Sequence, residues 1–495
     1  MPGKRVHFLT LGCPKNQVDS EIMLGVLARS GHELVLDPDA ADVLVVNTCA
    51  FIGPAKEESI DAILDAARVK AAREGRRLVV TGCLAQRYAD DLVGSLPEVD
   101  AFVGTGDLER IAEAVDATPA PAPIVYRGAQ HVLPAHDVAP RLRTGAWWTS
   151  YLKVSEGCDH TCSFCIIPKI RGRHESRPLD DLVVEVAALA ADGTIELNLI
   201  AQDLTAYGRD LAGDTTLATL LRALAIRVPA LRWIRLLYAY PSSVTDELLE
   251  VMATEPAVCR YLDMPLQHAS DRMLRAMRRE RSGRALRELI ARVRTAVPGI
   301  AMRTAFIVGF PGETDDDVRA LCDFVEEMRF ERVGVFRYSK EENTHAGTLP
   351  GHLPERVKQA RFERVMETQA RVAAELARSQ IGREVEVLLE EEPEPGVFVG
   401  RTATQAPEID GIIRVSGAGD VGEIVRVRVV DADVYDLRGN IVPAVDTTGT
   451  TPYIPPPRHA KDFPQEVARD PRTDAIAPAA QRAARAARGA RSEQR

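Results

Sequence analysis

"TSYLKVSEGCDHTCSFC" (residues 149–165) joins a strand-like run to three cysteines, Cys158, Cys162 and Cys165, spaced Cys-x3-Cys-x2-Cys. Thr149 to Ser155 reads as a strand, and the three thiols follow it at once on one tight loop. In a parallel barrel that position is the C-terminal mouth, where the loops after the strands build the active site. Zinc sites and iron–sulfur clusters usually take four protein ligands, yet only three cysteines stand here. One reading is zinc with His160 as the fourth ligand, although a histidine wedged between Cys158 and Cys162 is cramped for tetrahedral closure. The other is a four-iron cluster with one iron lacking a protein ligand and so open to a small molecule.

The surroundings of this stretch repeat a strand–helix rhythm six times, over residues 147–376. "TSYLKVS", "IELNLIAQD", "WIRLLYAY", "YLDMPLQH", "AMRTAFIVG" and "RVGVFRYS" read as strands, with helical patterns such as "PLDDLVVEVAALAADG" between them. Six such units make a partial barrel, two short of the closed eightfold form. Gln202 closes the second strand and Gly309 follows the fifth. Both are candidate cofactor neighbours, as is Phe164, whose ring would shield a cluster and offer a face to an adenine.

Upstream, residues 4–118 carry "VHFLTLG", "ADVLVVNT" and "RRLVVTG", each followed by a helical pattern. That is the signature of an open parallel α/β sheet. Cys13, Cys49 and Cys83 each stand at the C-terminal end of one of these strands. Such ends share one edge of an open sheet, where these folds place their ligands. Residues 34 to 36 apart in sequence can therefore meet in space. Three unrelated buried thiols are the plain alternative, since cysteine is often buried. Cys259 and Cys322 read as core residues.

Residues 119–146, rich in Pro and Ala without periodicity, read as a linker. Residues 379–444 alternate like a small five-stranded β-barrel of OB type. The tail, 446–495, is dominated by Pro, Ala and Arg and reads as disordered.

The chain has 495 residues, eight cysteines, 27% charged residues and a net charge of −10. That charge argues against general nucleic-acid binding. No apolar run approaches a membrane span, so no membrane is expected and the reading is cytoplasmic. Thiols stay reduced there, which favours metal ligands or buried thiols over disulfides.

A three-cysteine α/β domain, a barrel with the Cys-x3-Cys-x2-Cys loop and a small β-barrel, in that order, resemble the radical S-adenosylmethionine (SAM) methylthiotransferase family over about residues 4–444. The resemblance implies that Cys158, Cys162 and Cys165 hold a 4Fe-4S cluster whose open iron chelates SAM. It also implies that Cys13, Cys49 and Cys83 hold a second, auxiliary 4Fe-4S cluster, and that the C-terminal barrel is a TRAM domain. The implied reaction inserts a methylthio group into a C–H bond. One SAM gives its methyl to sulfur at the auxiliary cluster, and a second yields the 5′-deoxyadenosyl radical that activates the substrate carbon. A low-potential electron donor such as flavodoxin or ferredoxin, and a monomeric enzyme, are expected with it. No catalytic side chain is assigned.

Within the family, "LGCPKNQVDSE" (11–21), "NTCAFIGPAKEESI" (47–60) and "YLDMPLQHAS" (261–270) resemble the branch that modifies the β-carbon of an aspartate in the twelfth protein of the small ribosomal subunit. A tRNA adenosine is the alternative substrate. That branch typically has Gln-Met-Asn after its first cysteine, where this chain has Pro14-Lys15-Asn16. Charge points the same way. Residues 379–444 hold six Arg and no Lys against eight Glu and five Asp, a balance of −7. A domain gripping tRNA phosphates should be basic, whereas an acidic one suits a strongly basic ribosomal protein or the small subunit that carries it. Lys15 and Arg303 are conceivable partners for the target aspartate, although ion pairing within the fold would explain either.

Overall fold

Apolar runs covered on both faces build the first layer. β1 (Arg5–Thr10), β2 (Glu33–Leu34), β3 (Val43–Thr48), β4 (Arg77–Gly82), β5 (Ala101–Val103) and β6 (Ile124–Tyr126) form a parallel sheet in the order β2-β1-β3-β4-β5-β6. β3 and β4 are buried at every position, as central strands covered by helices must be. The helices are α1 (Pro14–Arg29), α2 (Gly53–Ala71), α3 (Cys83–Ser95) and α4 (Ile111–Asp116). This computed structural model describes residues 3–118, 120–128, 141–279 and 281–443. The tail expected to be disordered lies outside them. The linker expectation over 119–146 needs correction, because Ile124–Tyr126 adds the sixth strand beside β5. Three residues amid prolines are too few to alternate visibly, and a sheet edge tolerates such a strand.

The second sheet is the partial barrel. β7 (Thr149–Lys153) is followed by a short antiparallel ribbon of β8 (Ser155–Glu156) and β9 (Glu175–Ser176). That ribbon closes the cysteine loop, which also contains α5 (Ile167–Arg171); α6 (Leu179–Ala191) comes next. β10 (Glu196–Ile200), β11 (Trp233–Leu236), β12 (Val258–Asp263), β13 (Ala301–Val308) and β14 (Arg332–Arg337) complete a parallel sheet ordered β14-β13-β12-β11-β10-β7. Cys259, expected just before a strand, is the second residue of β12, and it and Cys322 are buried.

Six strands leave β7 and β14 apart, and the N-terminal domain reaches to both sides of the gap. On the β7 side, Lys153 meets Asp19 of α1. On the β14 side, buried Glu341 accepts Lys56 Nζ of α2 and Arg87 Nη1 of α3, each at 2.9 Å. Chain that was expected to be linker helps: Arg141 pairs with Glu21 at 2.6 Å and with Glu185 of α6 at 2.8 Å.

β15 (Glu384–Glu394), β16 (Val397–Thr402), β17 (Ile413–Ser416), β18 (Ile424–Ala432) and β19 (Leu437–Ile441) form a closed barrel. It covers residues from the inner side of the partial barrel: Leu388 and Ala406 share one apolar core with Tyr151, Ile200, Trp233 and Tyr261, and with Val18 and Ile22 of α1. Charge fixes the docking. Glu196 of β10 accepts Arg401 Nη2 at 2.6 Å and Arg235 Nη2 at 2.9 Å, with all three side chains buried. Burial opposes the Glu196 charge, but Arg401 and Arg235 outweigh it and hold the carboxyl near about 2 against an ordinary 4.5. With the folded value depressed, the stabilisation is complete above the unfolded value and drains away as pH falls toward 2. Glu196→Gln should therefore destabilise the protein by about 3–5 kcal/mol at neutral pH, because two buried guanidiniums lose their partner. Thermal unfolding followed from pH 7 to pH 3 checks this: the variant should lose less stability over the acid part of that range than the parent.

Candidate active site

Cys13, Cys49 and Cys83 end three strands, β1, β3 and β4, that are adjacent in the sheet. Cys13 caps α1 and Cys83 opens α3. Gly12 adopts φ +93°, and a Cβ there would lie 3.0 Å from Cys49 Cβ and 3.4 Å from its Sγ. The backbone before Cys13 thus passes directly against Cys49, and only glycine permits both the conformation and the approach. Buried Asn16 ties the strand ends together: its Nδ2 donates to Leu11 O at 3.1 Å and to Thr48 O at 2.9 Å. Burial, followed by the neighbouring Cys83 and Cys13, pushes the Cys49 thiol well up. Burial also raises Cys83, although Arg171 pulls the other way.

Cys158, Cys162 and Cys165 lie on a loop pinned from several sides. Cys158 N donates to Gly172 O at 3.1 Å, Ser163 N to Met277 O at 3.0 Å, and Ala346 N to Ser163 O at 2.7 Å. A Cβ on Gly157 (φ +76°) would strike Arg173 O at 1.9 Å, so the loop turns on a glycine just before its first cysteine. Arg279 stacks its guanidinium 4.1 Å from the Tyr240 ring centroid and points Nη1 at Cys162 Sγ, 3.4 Å away. Burial pushes the Cys158 thiol up to about 11 and Cys165 up to about 12.

His160 has a different employment from zinc binding. Its ring stacks on Tyr240 with centroids 3.5 Å apart, and its Nε2 lies 2.7 Å from Asp203 Oδ2. Among the described residues, no three His, Cys, Asp or Glu side chains converge as ligands of a single ion. A four-iron cluster asks for something else, because its cysteines bind different irons and stand further apart. Two thiols in each set that burial pushes up, with one arginine aimed at each set, suit a group that brings its own positive charge and releases protons on binding.

The two trios are joined through α5. This helix begins two residues after Cys165, yet Ile166 and Ile170 belong to the N-terminal domain's core, packed with Leu11, Ala50, Cys83 and Leu84. One turn later Arg171, fully buried, donates Nη2 to Cys83 Sγ at 3.3 Å and to Asn16 Oδ1 at 2.7 Å. Its Nη1 lies 2.7 Å from Asp19 and 3.3 Å from Glu156. Lys153 contacts the same two carboxylates, Glu156 at 2.6 Å. Burial opposes the Glu156 charge, yet Lys153, Arg171 and Gln202 together keep its carboxyl ionised.

The expected cofactor neighbours fall in different surroundings. Gln202 donates Nε2 to Glu156 Oε1 at 2.5 Å and keeps a buried Oε1 without a partner among the described residues. Phe164 packs on a cluster of Met273, Met277, Phe310 and Tyr338. Gly309 faces the Lys358 stem, which lies 2.4 Å from where a Cβ would be, and its N–H donates to buried Glu313 at 2.7 Å. Asn16, Asp19, Arg171 and Arg279 escaped sequence reading. Polar residues on α1 look solvent-facing until two domains bury the helix on every side. The run "IPKIR" after the motif was the one available signal.

Three sequence families match the chain: "Uncharacterized protein family UPF0004" at residues 5–104, "Radical SAM superfamily" at 152–325 and "TRAM domain" at 381–442. Proteins named ribosomal protein uS12 methylthiotransferase RimO are similar along nearly their whole length. The one from Anaeromyxobacter sp. (strain Fw109-5) is 53% identical over 89% of this chain and 94% of its own. The one from Geobacter sulfurreducens is 48% identical over 89% and 99%. The chain belongs to the RimO family. A solved radical SAM methyltransferase, TsrM from Kitasatospora setae with cobalamin and a [4Fe-4S] cluster bound, shares the fold at a TM-score of 0.51, 17% identity, over 70% of this chain and 74% of that one. Membership of the RimO family brings radical SAM chemistry, and with it an iron–sulfur cluster and SAM, to this site.

Arg171 offers a direct check on how the RimO-family domains are held together. Arg171→Met leaves Asp19 and Glu156 with Lys153 alone, a buried excess negative charge. The variant should lose about 3–5 kcal/mol. Adding Asp19→Asn restores neutrality and should recover part of that loss, read as coupling in a double-mutant cycle of unfolding free energies.

Proposed function

We propose that this chain methylthiolates ribosomal protein uS12 at the β-carbon of an aspartate, by radical SAM chemistry with two four-iron clusters. The observation that supports the reading is α5, which starts just after Cys165, packs in the N-terminal core and brings Arg171 to Cys83, so one short helix connects the two cysteine sets. Cys158, Cys162 and Cys165 would hold one cluster, and Cys13, Cys49 and Cys83 the other. When bound, the first supplies the electron for reductive cleavage of SAM, and the second a site for the sulfur that is transferred.

The protein's own residues do the rest. Arg279 donates toward Cys162 and Arg171 toward Cys83, and hydrogen bonds to cluster sulfurs tune reduction potential. Tyr240, His160 and Asp203 hold the loop against the ends of β10 and β11. Gln202 and Phe164 border the same mouth and are our candidates for contact with SAM, with Gly309 a third.

The substrate reading rests on relatives named for uS12 and on charge. Glu391, Glu392 and Glu394 stand exposed on the β15 side of the hairpin to β16, where they would repel a phosphate backbone and attract a basic protein. The electron would come from a low-potential donor such as flavodoxin or ferredoxin, and the enzyme would act as a cytoplasmic monomer. No helix among the described residues is long and apolar enough to cross a membrane.

Anaerobic reconstitution should give about eight irons per chain, falling to about four in Cys83→Ala and in Cys162→Ala. Cys162→Ala should lose reductive SAM cleavage, whereas Cys13→Ala should retain it and lose transfer. Mass spectrometry of ribosomal proteins and tRNA nucleosides from a deletion strain should show the methylthio mass missing from uS12 and kept on tRNA. Loss from a tRNA nucleoside with uS12 unchanged would overturn the substrate assignment.

A further inference from the structure

Lys15 is buried, with 8% of its surface exposed, yet no carboxylate among the described residues lies within 4 Å of its ammonium. Most other buried cations among the described residues are matched, and Arg76, with Asp39 no nearer than 3.9 Å, donates to backbone carbonyls of Ala41 and Val69. Lys153, Arg171, Arg177, Arg235, Arg361 and Arg401 each meet a carboxylate at hydrogen-bond range. Arg77 shares the lack, but it opens β4, at the opposite end of that strand from Cys83. A buried charge without a counter-charge is costly, and one kept at a site of chemistry marks a place for a ligand.

The position of Lys15 is equally specific. It sits two residues beyond Cys13, and its Nζ rests 3.4 Å from the centroid of the Tyr238 ring. Tyr238 follows β11 at the barrel mouth with φ +67°, a left-handed conformation that a bulky residue adopts at a cost. The strain is held in place by hydrogen bonds: Tyr238 N donates to Asp263 Oδ2 at 3.2 Å, and Leu204 N to Tyr238 O at 3.1 Å. The aromatic face satisfies one side of the ammonium by cation–π attraction and leaves other N–H donors for an acceptor. Arg303, the neighbouring cation, is not comparable. It lies 2.9 Å from Asp263 and 3.6 Å from Asp410, so its charge is already spent.

We propose that Lys15 binds the side-chain carboxylate of the substrate aspartate and thereby sets the β-carbon between the Cys13 edge and the barrel mouth. This rests on the uS12 reading above. A carboxylate lies one bond from the carbon to be functionalised, so a cation that holds it must stand beside both cysteine sets. Lys15 is the unmatched cation two residues from Cys13, and it reaches from α1 to the ring of Tyr238 at the barrel mouth, two residues before the Tyr240 that stacks on His160 of the other cysteine loop. It is a positioning and specificity residue, since no proton or electron passes through it.

The test compares two uS12 peptides, one with the target aspartate and one with asparagine in its place, using reconstituted parent enzyme and the variants Lys15→Met and Lys15→Arg. Binding is measured by calorimetry and methylthio transfer by mass spectrometry. The parent should bind the aspartate peptide about 10- to 100-fold more tightly than the asparagine peptide, as a charge-assisted contact requires. Lys15→Met should erase that preference by weakening the aspartate peptide alone, and Lys15→Arg should keep part of it. Equal affinity of the parent for both peptides, or equal weakening of both in Lys15→Met, would assign Lys15 to the cluster or the fold and overturn the proposal. The parent arm stands even if a variant fails to fold. A parent enzyme that transfers a methylthio group to neither peptide would instead count against the substrate reading itself.

Discussion

Four buried charges, Asp19, Lys153, Glu156 and Arg171, hold this protein's active centre together. They come from α1, β7, β8 and α5, and they sum to zero. Each cation contacts both carboxylates, so none can be moved without stranding another. Burying such a set contributes little net stability compared with an apolar core, but it punishes every misplacement heavily. The N-terminal sheet and the partial barrel are therefore locked in one relative position, with α5 threaded between them. Arg171 reaches Cys83 as a consequence of that lock.

The same device recurs at the other seams. Glu21 and Glu185 are matched by Arg141 and Arg177 where residues outside the first sheet return to α1 and α6. Glu196 and Glu390 are matched by Arg235 and Arg401 where the small barrel docks. The six parallel strands of the partial barrel leave β7 and β14 as unjoined edges, and the polar inner ends of the strands need cover. Here that cover comes from neighbouring domains, with matched charges specifying where each one sits. Among the described residues this leaves Lys15, beside Cys13 and against the Tyr238 ring, without a matching carboxylate, which is why it stands out as a contact for substrate.

Much of the architecture is legible in the sequence. Six strand-like runs in residues 147–376 became the six parallel strands of the barrel, because each places apolar residues in the shared core, such as Leu197 and Leu199 of β10 or Ile234 and Leu236 of β11, while charged neighbours such as Glu196 and Arg235 find partners across the strands. The five alternating runs of 379–444 closed into a barrel for the complementary reason, one face in and one face out. Ile124–Tyr126 escaped notice, since three residues carry no period. So did the burial of α1, whose polar residues Asn16, Asp19 and Glu21 are buried against neighbouring elements.

The cysteine spacing by itself pointed to a metal centre, zinc or a four-iron cluster with an open iron, and the family resemblance chose between them. Cys-x3-Cys-x2-Cys directly after a strand is a local pattern, and three strand-end cysteines follow from a parallel sheet whose C-terminal edge is shared. What only the tertiary structure decided is which distant residues serve those cysteines. Arg171, Arg279 and Lys15 are ordinary basic residues in the sequence. Their roles depend on having lost water and on whether a carboxylate lies within reach, and both are properties of packing between domains, which no local pattern encodes.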